Sequence, residues 1–114
     1  MATAAAHERQ AIRNQQFLDS IDKTLFPDWA VTAAFYKAVH LAEGLLVRKG
    51  RRSGSHVQRN GVLKRQFPSV WMQYHPLYNQ SRAARYFCVS ILPSQVAKAI
   101  HWLQAVESAV VAIP

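Results

Sequence analysis

Between Asp28 and Lys49 apolar side chains occur nearly all round the helical wheel. Trp29, Ala30, Val31, Ala33, Ala34, Phe35, Tyr36, Val39, Leu41, Ala42, Leu45 and Leu46 leave no broad polar face. A helix of that kind cannot lie on a surface; it must be wrapped by neighbours. The other segments have the matching pattern, a single apolar stripe each. Residues 8–22 place Ile12, Leu18 and Ile21 on or near one stripe, with Phe17 beside it. After Ser94, Val96, Ile100, Leu103, Val106 and Val110 recur at helical spacing.

Punctuation separates these segments. Leu25-Phe26-Pro27-Asp28 ends the first helix and opens the second. Arg48 and Lys49 suit the negative end of the second helix, and Gly50 is a natural C-terminal cap. Gly50-Arg51-Arg52-Ser53-Gly54 reads as a basic loop, and Ser55 with Gln58 three residues on reads as a capping box. The third helix ends before Pro68. Residues 69–86 are helical in pattern, with a break or restart expected at Pro76, and Pro93 closes a connection before a helix capped by Ser94. Val89-Ser90-Ile91-Leu92 is too short and isolated to carry a sheet. The expectation is an all-α bundle of four to five helices over residues 8–114, preceded by a tail at residues 1–7.

One hundred and fourteen residues suit one domain with a real core. The lone Cys88 excludes an intrachain disulfide and reads as a small buried side chain. No run approaches ~18 uninterrupted apolar residues, and the apolar start is too short for a signal segment. A cytoplasmic protein without a membrane span is therefore expected. The net charge is +8, and between Glu43 and Glu107 ten Lys or Arg occur without one acid. Such a field favours polyanions, RNA or a nucleotide first among them.

Three groups can do chemistry. A helix starting at Ser55 stacks His56, Arg59 and Asn60 on one face. Free backbone N–H groups at such a start favour a phosphate. Arg59 can clamp phosphate oxygens, Asn60 can orient a hydroxyl, and His56 can move a proton. That set supports metal-independent RNA cleavage by the neighbouring 2′-hydroxyl, or anion binding alone; it equally decorates an ordinary helix start. Arg82 and Arg85 beside Tyr78 and Tyr86 can stack on and clamp nucleotides, or instead pair with Asp19, Asp22 or Asp28. Tyr36 and His40 lie four apart on the buried helix, where His40 reads as a satisfied core histidine. No metal-ligand spacing, glycine-rich phosphate loop or carboxylate pair occurs, so neither a metal nor another cofactor is expected.

Pro27-Asp28-Trp29-Ala30-Val31-Thr32-Ala33-Ala34-Phe35-Tyr36 leading to His40, then Ser55-His56-x-x-Arg59-Asn60, then Leu77-Tyr78 to Ser81-Arg82-x-x-Arg85-Tyr86, resembles a small HEPN-domain protein over residues 8–112. The resemblance implies an all-α bundle that pairs as a homodimer. It also implies an RNase of a toxin–antitoxin or antiviral defence system, with an antitoxin or effector as partner. Arg59-Asn60 matches the first half of the family's Arg-to-His motif, but Lys64 stands where the His belongs. His56 lies one turn before Arg59 instead, and Arg51 to His56 offers an alternative match. On this reading His56, Arg59 and Asn60 are catalytic. Arg51, Arg52, Lys64 and Arg65 steer RNA, joined by Arg82 and Arg85. The alternative is a non-catalytic module that binds nucleotide or RNA, or docks on a nucleotidyltransferase or effector.

Overall fold

Proline opens three of the five helices. Pro27, Pro68 and Pro93 each occupy the first helical position, where a missing N–H costs nothing because that group would have no intrahelical partner. The computed structural model describes residues 2–114 and contains α1 (Ala4–Ser20), α2 (Pro27–Arg48), α3 (His56–Gln66), α4 (Pro68–Tyr86) and α5 (Pro93–Val111). No strand forms among the described residues. The protein is an all-α bundle, as its periodicity predicts.

α2 is the axis of the bundle and packs against α1, α4 and α5, while α3 rests mainly on α4. Val31, Phe35, Leu45 and Leu46 of α2 are fully buried with Leu63 of α3, Val70, Tyr74 and Leu77 of α4 and Val106 of α5. By length and composition α2 could cross a membrane. Its apolar faces are covered by protein instead, and its buried Lys37 reaches Glu107 at 3.1 Å and Gln15 at 2.9 Å.

Six local expectations are corrected. Residues 4–7 are not a tail but the first turn of α1, because Thr3 Oγ1 accepts the Ala6 N–H at 3.1 Å and three alanines follow the cap; Met1 lies outside the described residues. The same helix stops at Ser20, since Asp22 Oδ1 accepts from Thr24 and Leu25 and bends the chain. Its buried residues are Ala11 and Leu18, leaving Ile12 58% exposed one position round the helix. α4 runs through Pro76 without restarting, with the fully buried Tyr74 and Leu77 anchoring both sides of it. α5 begins at Pro93, with the Leu92 N–H donating to Gln95 Oε1 at 2.7 Å, so Ser94 lies inside the helix rather than capping it. Cys88, read as buried, is exposed in the connection with φ 51°.

Gly50 has φ 71°. Its N–H donates to the Val47 carbonyl and the Arg51 N–H to the Leu46 carbonyl, which closes α2 with a left-handed turn. That turn sets the direction of the loop leading to α3. Replacing Gly50 by Ala should cost about 1 kcal/mol. Phe35→Ala, at the centre of the core, should cost ~3–5 kcal/mol. Urea denaturation followed by circular dichroism measures both.

Candidate nucleic-acid interface

The start of α3 is built by two side chains. Ser55 Oγ accepts the Gln58 N–H at 3.1 Å, and Gln58 Oε1 accepts the Gly54 N–H at 2.6 Å. The second bond reaches one residue further back than the expected capping box, so it ties the glycine of the loop to the helix. His56 is then the first helical residue, with Arg59 and Asn60 on the following turn.

His56 and Arg59 do meet, but Arg59 faces inward. Arg59 is 8% exposed, and its Nε–H donates to Glu43 Oε1 of α2 at 2.7 Å. Ser53 Oγ donates to the same carboxylate oxygen. One terminal nitrogen of Arg59 donates to His56 Nδ1 at 2.8 Å. Tyr74 lies beside Arg59; burial pushes its phenol up to about 12. Asn60 Oδ1 is buried without a hydrogen-bond partner. Thus Arg59 does not stand ready as an outward phosphate clamp: three elements of the fold already share it.

The tautomer of His56 follows from this geometry. A guanidinium only donates, so Nδ1 must accept, and the neutral ring carries its proton on Nε2. Burial lowers the pKa of His56, assisted by the positive charges of Arg59 and Arg85. At neutral pH the outer edge of this ring is therefore an N–H donor.

Arg85 ties the second group to the first. Phe35 is the hub, with ring centroids of Tyr36, His56, Tyr74 and Tyr78 all between 5.6 and 5.8 Å from its own. The His56 ring lies 5.9 Å from Tyr78. The Arg85 guanidinium sits 5.2 Å from the Phe35 centroid, 5.5 Å from Tyr36 and 4.9 Å from Tyr86, and donates to the Tyr36 hydroxyl at 2.9 Å. Ser81 holds it from the α4 side. Arg82 is exposed, 5.9 Å from the Tyr78 centroid and 6.0 Å from that of Phe87. Neither arginine forms an ion pair among the described residues, so the alternative pairing with Asp19, Asp22 or Asp28 does not form. Asp28 instead lines, with Arg85, Tyr36 and Trp29, an open cleft of about 320 Å³.

The remaining cations spread outward. Arg51 donates to Gln66 at 2.7 Å. Gln66 is at the far end of α3 from His56, about 15 Å away along the helix, so the Arg51-to-His56 match joins no site. Lys64 and Arg65 are exposed in the last turn of α3, with the Arg65 guanidinium folded back over Gly61. Arg52 is exposed and lines a different cleft with His40. No group of three or more His, Cys, Asp or Glu among the described residues can hold a metal ion.

Sequence reasoning passed over Glu43 and His7. Glu43 carried a signal: an acid on the most apolar helix, when buried, requires a partner. His7 falls within the expected tail and carries no such signal. No protein-family model matches the chain, and no curated protein matches it at a significant level. Fold and site together define a five-helix protein in which cations and aromatic rings from α2, α3 and α4 surround one histidine.

His56 and His40 both have pKa values lowered from 6.5, chiefly by burial. The unfolded chain therefore binds more protons than the folded one as pH falls below about 6.5, and stability declines there. Tyr74 has the opposite limb: its raised pKa resists ionisation, so stability also falls from pH 10 towards 12. Urea midpoints at pH 5.5 and 7.5 should differ in the parent protein, and His56→Gln should narrow that difference.

Proposed function

We propose that this chain is a HEPN-like protein that binds single-stranded RNA on the face formed by α2 and α4. One observation carries the reading: Arg85 and Arg82 are held among aromatic rings with no ion-pair partner among the described residues, on the same Phe35 and Tyr78 cluster that the His56 ring packs against. The three segments that carry the family resemblance converge on Phe35, which supports the family reading. Phosphate oxygens would meet Arg85, Arg82, His56 Nε2–H and the Tyr36 hydroxyl. Bases would stack on exposed rings at the rim, where Tyr86 is 66% and Trp29 55% exposed. Lys64, Arg65 and the loop arginines extend the positive field and speed encounter. The chain would act as a homodimer, which sedimentation equilibrium checks.

The hydrogen bonding favours binding over cutting. Cleavage through the 2′-hydroxyl needs an imidazole lone pair aimed at that oxygen. The lone pair of His56 is on Nδ1, engaged by Arg59. The second reading is a metal-independent endoribonuclease, and the lowered pKa of His56 supports it, because the ring stays unprotonated at neutral pH. It requires Arg59 to release Nδ1 when RNA arrives.

Mixed single-stranded RNA incubated with the pure protein in EDTA separates the two. Intact RNA retained in a gel shift is the expected result. Arg85→Ala should weaken retention about tenfold and lower the slope of log K against log salt by about 0.7. Cleavage in EDTA that disappears in His56→Ala establishes the second reading instead. RNA neither retained nor cut overturns both.

A further inference from the structure

α1, α2 and the loop before α3 enclose a second cleft of about 330 Å³, lined by His7, His40, Glu43, Arg52, Ser53 and Arg59. Its size lies at the lower end for small-molecule sites. His7 and His40 face each other through their Nδ1 atoms at 3.0 Å, with ring centroids 5.2 Å apart. Two nitrogens so close share one proton, one ring donating and the other accepting. The neutral pair can therefore take one proton on an outer nitrogen and become a single cation without losing the bond between its rings.

The charges around it favour an anion. Arg52 has no hydrogen-bond or ion-pair partner among the described residues. Glu43, the one acid lining the cleft, is already met by Arg59 and Ser53. Two guanidinium groups against one carboxylate leave a net positive cleft before either histidine takes a proton. The spacing of the two Nδ1 atoms also suits two ligands of a transition metal, but no third ligand completes such a site, and the neighbouring arginines repel a dication.

We propose that this cleft is a second anion site, which takes a phosphate monoester through His7, His40 and Arg52. Entry of a dianion draws one proton onto the histidine pair, so binding and proton uptake are linked. The charged groups that set this balance are Glu8 of α1, Glu43 and Arg48 of α2, Arg52 of the loop, Arg59 of α3 and Glu107 of α5, all lining the two clefts that His40 borders. Burial, His7 and Arg59 lower the pKa of His40 against an opposing pull from Glu43, so the His40 ring of the free cleft is neutral at neutral pH.

Calorimetric titration of the full chain in EDTA with 5′-AMP, ribose 5-phosphate, inorganic phosphate and adenosine tests the site. The three phosphates should bind and adenosine should not. AMP binding tighter than ribose 5-phosphate assigns a nucleotide as the source; equal affinities assign the phosphate group alone. Sulfate keeps its double charge from pH 8 to 6, so any pH dependence of its binding belongs to the protein. Its affinity should rise by up to about tenfold per pH unit on acidification, and His7→Gln should abolish that rise. Arg52→Ala, in an exposed loop that cannot unfold the bundle, should weaken sulfate binding at least fivefold at both pH values. Adenosine binding as tightly as AMP, sulfate affinity indifferent to pH and to both substitutions, or Zn²⁺ captured without EDTA while no anion binds, overturns the proposal. His7→Gln should leave RNA retention unchanged, so this site and the RNA face stand or fall separately.

Discussion

The ion pair between Glu43 and Arg59 joins the most buried helix of the bundle to one of its shortest. Both residues are 8% exposed, and the contact is 2.7 Å. Two charges taken so far from water are costly, and their attraction offsets that cost only when the remaining donors and acceptors are also satisfied. Here they largely are: Ser53 adds a donor to the carboxylate, and His56 takes a second guanidinium N–H. α3 has few apolar residues of its own to bury, with Leu63 the only one fully enclosed. Its position on α2 therefore depends heavily on this polar junction, and so do the orientation of His56 and the course of the basic loop. The junction also divides the surface, with the aromatic and cationic face around Phe35 meeting His56 and the histidine cleft reaching Arg59.

What the sequence makes legible is local. Pro27, Gly50, Pro68 and Pro93 mark helix boundaries because each has a backbone constraint that acts within a residue or two. The wrapped character of α2 is equally plain, because apolar residues all round a wheel have one physical outcome. The errors arise where tertiary packing decides. Pro76 reads as a break, yet buried neighbours on both sides keep α4 continuous. Ile12 reads as core, yet the residues α1 buries are Ala11 and Leu18, which leaves Ile12 turned outward. α1 and α2 approach to ordinary contact at Gly44, where a Cβ would lie 3.6 Å from the His7 Cβ and 3.8 Å from the Ala4 carbonyl oxygen.

The candidate site was legible as two separate clusters, not as one. Spacing of three and four places His56 with Arg59, and Tyr78 with Arg82 and Arg85, since those relations hold within any helix. That the clusters meet depends on Phe35, a residue whose sequence position says only that it is apolar. Glu43 was invisible as a partner of Arg59, because their contact closes a loop of sixteen residues. Its consequence is chemical: the arginine expected to clamp phosphate is an internal strut, and Arg85, held by Ser81, tyrosine hydroxyls and ring faces but by no carboxylate among the described residues, is the better placed guanidinium for an outside anion.

This exchange of roles bears on how such a site could ever cut RNA. Proton abstraction and phosphate binding make opposite demands on one imidazole. A base needs its lone pair outward; a donor to phosphate needs its N–H outward. Arg59 enforces the second arrangement as long as it remains bonded to Nδ1, and Glu43 holds Arg59 in place for that bond. Catalysis would then require the junction to loosen, exposing a buried carboxylate or guanidinium without its partner, a change that costs several kcal/mol. RNA contacts strong enough to compensate would have to form only in the loosened state, since a ligand shifts an equilibrium no further than its preference for one form. Binding would ask for no such change, because Arg85 has no ion-pair partner among the described residues and the neutral His56 ring already carries its proton on Nε2.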